Sequence, residues 1–188
     1  HSKIIVRILT LKNETIDRDF YLARVKEAVK AREELGYSDN YRAVFAESDF
    51  LPGLIVDKYG EYLSVQFLSL GMETIRELII GILVEVFAPK GIYERSDVPV
   101  REKEGLEKRK GVIYGDFIPK VTIVENGLKM VVDLENGQKT GYFLDQKENR
   151  DNLKYYVKGK NVLDCFCNEG GFSLCAAKYG ANEVTAVD

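Results

Sequence analysis

The stretch Asn161 to Asp188, NVLDCFCNEGGFSLCAAKYGANEVTAVD, restricts the fold more than any other part of this chain. An apolar run ends in Asp164, the paired glycines Gly170 and Gly171 open a helical pattern, and a second apolar run ends in Asp188. Val162-Leu163 and Val184 to Val187 are short apolar runs of the kind that lie buried in a parallel sheet. The helix between them puts Phe172, Cys175, Ala176 and Tyr179 on one face, and Gly180 ends it. Together these make a βαβ unit, so the expected class is α/β. Ligands of such sheets bind beyond the carboxyl ends of the strands, which is where Asp164 to Gly171 and Asp188 fall.

Charge narrows the ligand. Dinucleotide sites use G-x-G-x-x-G so that backbone N–H groups can approach a pyrophosphate. Here the loop reads D-C-F-C-N-E-G-G and carries two carboxylates, Asp164 and Glu169, which would repel phosphate. Asp188 stands 18 residues after Gly170, close to the spacing of roughly 20 at which an acidic side chain reaches ribose hydroxyls. An adenosine ligand without phosphate, carrying cationic groups of its own, suits this loop. S-adenosylmethionine, with its sulfonium and ammonium, is such a ligand.

The composition excludes several other classes. The chain has 188 residues, 45% of them hydrophobic, enough to pack one large domain or two small ones. No apolar run approaches the roughly 18 residues of a membrane span, and no signal-peptide pattern opens the chain, so the expected location is cytoplasmic. A net charge of −3 argues against binding nucleic acid by bulk phosphate neutralisation but leaves room for a local basic face. Cys165, Cys167 and Cys175 crowd into eleven residues, C-x-C is not the zinc spacing C-x-x-C, and the only histidine is His1. No metal centre is expected, and the cysteines read as reduced, small packing residues.

Upstream, Ile4 to Leu9 is a short β-rich run that reads as a last strand of something preceding it. Asp17 offers an N-cap to a helix with Phe20, Val25, Ala28 and Leu35 on one face and Gly36 as its stop. From Tyr41 the period becomes that of strands: YRAVFAES, then LIVDKYGEYLSVQFL with a turn at Lys58 to Glu61, a β-meander. Met72 to Phe87 has helical spacing, Pro89 closes it, and Gly91 to Asp97 returns as a strand. Pro99 to Lys110 carries five basic and three acidic residues and reads as a solvated loop or, alternatively, an RNA-backbone contact. Val121 to Glu125 and Leu128 to Leu134 flank Asn126-Gly127, a strong hairpin signal.

Glu135 to Arg150, ENGQKTGYFLDQKENR, has two readings. Asp145 and Glu148 have the spacing of a capping box for a helix toward Tyr156, as in a plain connection from strand to helix. Lys139, Thr140, Gln146 and Arg150 also place hydrogen-bonding groups beside Tyr142 and Phe143, as the wall of a pocket for a planar polar ligand requires.

VLDCFCNEGGFSLCAA and GQKTGYFLDQKENR, with the upstream ESDFLPGLIVDKYG and RSDVPVREKEG, resemble the S-adenosylmethionine-dependent 23S ribosomal RNA cytosine-C5 methyltransferases of the large-subunit methyltransferase I family. The resemblance runs through nearly the whole chain, with the four motifs in the family's order. It implies three parts: residues 1–10 as the tail of a PUA domain whose body is absent, 11–134 as a central mixed α+β domain, and 135–188 as the incomplete start of a Rossmann-like class I methyltransferase domain. It further implies that Asp164 and the loop Asn168, Glu169, Gly170, Gly171 and Phe172 contact the methionine part of the cofactor. Asp188 would then hold the ribose, with Lys139, Thr140, Tyr142, Phe143, Gln146 and Arg150 lining the same pocket. Thr is more usual in the family where this chain has Glu169. The cysteine that attacks C6 of the base is expected on later strands, so no catalytic residue is assigned and the chain alone is expected to be inactive. Ribosomal RNA is the implied partner, with room for a homodimer. An rRNA guanine methyltransferase, or a non-catalytic RNA-binding or assembly module with a degenerate cofactor fold, are the alternative readings.

Overall fold

A computed structural model describes residues 3–188; His1 and Ser2, the start of the expected N-terminal tail, lie outside the described residues. Helix α1 (Arg18–Glu34) begins where expected: Asp17 Oδ1 accepts the backbone N–H groups of Asp19 and Phe20 at 3.0 and 3.1 Å, satisfying donors that the first turn leaves without helical partners. Phe20, Val25 and Ala28 are buried. Leu35, expected on the same face, is 75% exposed because it is the C-cap, beyond the last helical turn.

Strands β1 (Asn40–Phe45), β2 (Leu54–Tyr59) and β3 (Tyr62–Phe67) form the antiparallel meander. Two helices follow, α2 (Leu70–Thr74) and α3 (Arg76–Phe87), and cross to β4 (Gly91–Ser96), which runs parallel to β3. The single helix expected over Met72 to Phe87 is thus two, the first capped by Ser69 and the break falling at Ile75. Strand β5 (Arg109–Tyr114) completes a five-stranded sheet in the order β1-β2-β3-β4-β5.

Two stretches depart from the sequence reading. Pro99 to Lys110 is not a loop throughout: it contains the helical turn α4 (Val100–Lys103), and its last residues open β5. Arg101 within it is only 1% exposed, donating to the Phe67 and Glu107 carbonyls and to Glu73. Its cation is structural and not available to an RNA backbone. Ile4 to Leu9 belongs to no sheet among the described residues; Arg7 ties it to Glu104 at 3.0 Å.

The sheet is covered on both faces, and the alternation of its strands divides the work. Leu54, Val56, Leu63, Val65 and Ile92 face α1 and α3, packing with Val25, Ile79 and Leu83. Tyr59 and Tyr93 point the other way, into a second core with Val121, Ile123, Val132 and Leu134. The first three come from the hairpin β6 (Lys120–Glu125) and β7 (Leu128–Asp133) and Leu134 follows directly after it; the turn residues Asn126 and Gly127 have φ of +50° and +69°, the left-handed pair that a tight hairpin needs.

The βαβ unit forms as expected: β8 (Asn161–Cys165) and β9 (Glu183–Val187) are parallel, joined by α6 (Gly171–Lys178). A preceding short helix, α5 (Lys147–Asn152), packs against α6. The apolar runs of β8 and β9 are less buried than their composition suggests, with Leu163 64% and Val187 53% exposed, since one helix covers only one face of two strands. Of the three cysteines only Cys175 is buried, whereas Cys165 is exposed.

The second core makes a prediction for alkaline conditions. Tyr59 is fully buried, accepts from the Tyr142 backbone N–H at 3.0 Å and donates toward the Tyr142 carbonyl or Thr140. Burial above all, with Asp57 adding to it, pushes its hydroxyl well above the ordinary tyrosine range. Tyr142 is raised in the same way, by burial first and then by Glu125. The folded chain therefore keeps protons that the unfolded chain sheds above about pH 10. Stability from these groups is whole below that pH and falls as pH rises through it. Urea midpoints should drop on passing pH 10, and less steeply in Tyr59→Phe; a midpoint independent of pH across that range would contradict this account.

Candidate functional site

The loop between β8 and α6 turns sharply at the carboxyl end of the sheet. Phe166, Asn168 and Gly170 have φ of +62°, +50° and +71°, three left-handed residues within five. The two strand-end carboxylates hold this loop. Asp164 Oδ2 accepts the Ser173 N–H at 3.0 Å and its hydroxyl at 2.6 Å, which ties β8 to the first turn of α6. Asp188 Oδ1 accepts the Asn168 N–H at 3.1 Å. Gly171 sits where a Cβ would stand 2.2 Å from the Tyr142 hydroxyl, so the helix start can approach the 142–150 segment only without a side chain there.

That close approach makes a pocket. Tyr142, Phe143, Gln146 and Arg150 line one side; Asn168, Glu169, Gly171 and Phe172 line the other, with Phe166 and Cys167 beside them. Eight residues singled out in the sequence therefore come together, and Gly170, Asp164 and Asp188 shape the same loop. The pocket holds ≈ 90 Å³, against roughly 300–1,000 Å³ for a typical small-molecule site. It is part of a wall, not an enclosure.

Electrostatically this wall does not attract phosphate. Its one cation, Arg150, is 2% exposed and bonded to Glu125 through Nε at 2.6 Å and Nη2 at 3.0 Å, while Nη2 also donates to the Phe143 carbonyl. Its guanidinium stacks 4.4 Å from the Tyr142 ring centroid. Glu169 is exposed on the loop and forms no ion pair among the described residues. Burial raises the Cys167 thiol, and Asp188 and Asp164 raise it further, so it is not activated as a thiolate nucleophile.

Lys139 and Thr140 lie elsewhere. Thr140 is buried and donates to Asp57, the carboxylate that holds Arg42 with two 2.9 Å bonds. Lys139 sits over the Phe143 ring at 4.5 Å and pairs with Asp145 at 3.6 Å, on the far side of the segment from the pocket. The capping box does not form. Helix α5 starts at Lys147 behind a 3₁₀ turn with no side-chain cap; Asp145 accepts from Gln146, and Glu148 accepts from the Tyr37 hydroxyl at 2.7 Å. Phe166, Ser173 and Glu125 were not singled out by sequence. The Asp164-to-Ser173 spacing of strand end and first helical turn is a signal that could have found Ser173.

A larger cavity of ≈ 620 Å³, bounded by Ile4, Leu9, Tyr21 and Met72, is lined mainly by apolar groups and lies away from these loops. Among the described residues no group of three or more His, Cys, Asp or Glu side chains could hold a metal, and no helix is long and apolar enough to cross a membrane.

Comparison with known proteins agrees with this geometry. Residues 108–188 match the family model of S-adenosylmethionine-dependent methyltransferases. The ribosomal RNA large subunit methyltransferase I of Aliivibrio fischeri is 47% identical over 192 residues, which takes in 100% of this chain and 48% of the relative. Among solved structures, a candidate SAM-dependent methyltransferase from Streptococcus mutans superposes with a TM-score of 0.81 at 26% identity, over 96% of this chain and 47% of the other. A second solved chain with the same scores is a methyltransferase candidate complexed with SAH. The chain spans about half the length of the curated relatives it matches. Over the whole of its own length the chain is similar to about half of the ribosomal RNA large subunit methyltransferase I proteins, and its residues 108–188 match the S-adenosylmethionine-dependent methyltransferases.

Proposed function

We propose that this chain supplies one wall of an S-adenosylmethionine site in an enzyme that methylates cytosine C5 in large-subunit ribosomal RNA. The observation that carries the reading is the loop that joins β8 to α6. It brings two strand-end carboxylates and a left-handed turn together on a surface with no free cation to hold a phosphate. S-adenosylmethionine, when bound, supplies the methyl group. The chain's own residues orient and select: Asp188 presents a carboxylate toward the ribose position, Asp164, Asn168, Glu169 and Gly170 frame the methionine end, and Gly171 lets Tyr142 approach. Phe143, Gln146, Phe172 and the stem of Arg150 provide the flat side. Lys139 and Thr140 brace that wall from behind.

The same reading makes the chain inactive alone. Cys175 is buried, the Cys167 thiol is raised, the exposed Cys165 lies at the end of β8 outside the pocket lining, and the pocket is too small to enclose cofactor and base together. The test is methyl transfer from labelled S-adenosylmethionine to large-subunit rRNA, followed by nucleoside analysis. It is run with this chain alone and with a chimera in which the chain replaces the 192 matched residues of the Aliivibrio fischeri relative. The chimera should yield 5-methylcytidine, at least tenfold less of it after Asp188→Ala, and the chain alone none. Methylguanosine would favour the guanine reading. A chimera that neither transfers methyl nor binds S-adenosylmethionine would favour a non-catalytic module.

A further inference from the structure

Behind the wall just described lies a second cleft, of ≈ 530 Å³, that the cofactor reading does not use. The segment 139–150 separates the two: Tyr142, Phe143, Gln146 and Arg150 line the cofactor side, whereas Lys139, Leu144, Asp145 and Glu148 line the other. The opposite side of this second cleft comes from the end of α1 and from β1, and brings three aromatic rings, Tyr37, Tyr41 and Phe45. Phe45 is 48% exposed although it ends a strand of the central sheet. Cations sit on these rings: Arg42 lies 5.0 Å from the Phe45 centroid, Lys58 lies 5.7 Å from that of Tyr41, and Lys147 lies 5.8 Å from that of Tyr37.

We propose that this cleft binds an unpaired nucleotide of the RNA substrate, one that flanks the target base. The proposal rests on the function assigned above and names where that enzyme's substrate strand runs. Three features select this occupant. The volume lies within the range that takes a small organic ligand such as a nucleotide. Phe45, half-exposed beside the Arg42 guanidinium, and the partly exposed Tyr37 beside Lys147 offer the chemistry that stacks single-stranded bases, whereas Tyr41 is buried beneath them. Arg42 is also pre-set: the buried Asp57 holds its Nε and Nη2 at 2.9 Å each, and Asp57 in turn accepts from Thr140, two residues before the cofactor-side Tyr142. A base in this cleft is therefore connected, through the one segment 139–150, with the cofactor wall.

The charge pattern fixes what kind of binding to expect. Arg32 is paired with Asp49, Arg42 with Asp57 and Lys139 with Asp145, so few cations are free to replace counterions on phosphates. Affinity should come mainly from stacking, depend weakly on salt, and favour single strands, because a duplex keeps its bases stacked inside.

Fluorescence anisotropy of a short fluorescein-labelled oligouridylate with the chimera described above tests the proposal, with calorimetric S-adenosylmethionine binding measured on the same samples. Phe45→Ala should weaken oligouridylate binding about tenfold, the scale of one lost base stack, and Phe45→Tyr should restore it. S-adenosylmethionine binding should be unchanged in both variants, which also shows that they are folded. Binding of wild type to oligouridylate should exceed its binding to duplex RNA at least tenfold. Equal RNA affinity in Phe45→Ala and wild type, or no RNA binding by a wild-type chimera that binds S-adenosylmethionine, would overturn the cleft and leave the cofactor reading standing. Stacking-dependent RNA binding by a chimera that fails to bind S-adenosylmethionine would keep the cleft and overturn the cofactor reading instead.

Discussion

Glu125→Ala should destabilise the chain by about 3–5 kcal/mol, the cost of leaving a buried guanidinium without its carboxylate. Glu125 and Arg150 are each 2% exposed and joined by two bonds, at 2.6 and 3.0 Å. The pair links the end of β6 to α5, and so fastens the hairpin to the segment that walls both clefts. Once Glu125 is gone, the remaining acceptor of Arg150 is the Phe143 carbonyl, and water cannot reach the charge to replace what was lost. Arg150→Met should cost a similar amount by stranding the carboxylate. The double variant Glu125→Leu, Arg150→Met should recover much of the loss, because removing both charges removes the desolvation cost as well. Urea unfolding at constant slope measures each step. Arg18 and Glu85 serve as the contrast: they are 48% and 43% exposed, and breaking them should cost less than about 1 kcal/mol. A loss below about 1 kcal/mol for Glu125→Ala would show that the buried pair is no more than a surface one.

That pair also marks the limit of what the sequence could reveal. Features written in neighbouring residues were legible: the Asp17 cap, the Asn126-Gly127 turn and the βαβ unit with its acidic strand ends all formed where the pattern put them. Features made by residues distant in sequence were not. Arg150 and Glu125 are 25 positions apart, and Thr140 and Asp57 are 83 apart, and no local pattern announces either bond. The capping box shows a local signal losing to a distant partner, since Glu148 is held by Tyr37 from 111 residues away. Arg101 shows composition misleading in the other direction. A run of charges reads as solvated, yet the side chain in its midst is among the most buried in the chain because three acceptors converge on it. The pocket residues were found by motif, but which side of the segment each one faces follows from tertiary packing alone.

Gly137→Ala should destabilise by about 3 kcal/mol or more, at the upper end of what forced overpacking costs. A Cβ at this position would stand 2.2 Å from the Gly141 carbonyl oxygen and 2.4 Å from that of Asp133. Both obstacles are backbone, so no side chain can swing away. The turn is also fixed from several directions: Gly137 N–H donates to the Asp133 carbonyl at 2.9 Å, Gly141 N–H to the Gln138 carbonyl at 2.8 Å, and Arg95 Nη1 to the carbonyls of Leu134 and Gly137 at 2.8 and 2.9 Å. Pushing Gly141 outward would displace its neighbours Thr140 and Tyr142, and with them the contacts to Asp57 and Tyr59 that hold the wall. Placed in the chimera, the variant should therefore lose S-adenosylmethionine binding even under conditions where most of the protein is still folded. Gly81→Ala reverses the sign. Gly81 lies within α3 with nothing within 4 Å of its added Cβ, and replacing glycine by alanine inside a helix gains about 0.5–1 kcal/mol. The same one-carbon change should thus raise the unfolding midpoint at one glycine and sharply lower it at the other. Equal midpoints for the two variants would mean that the 133–141 turn can relax around the new carbon.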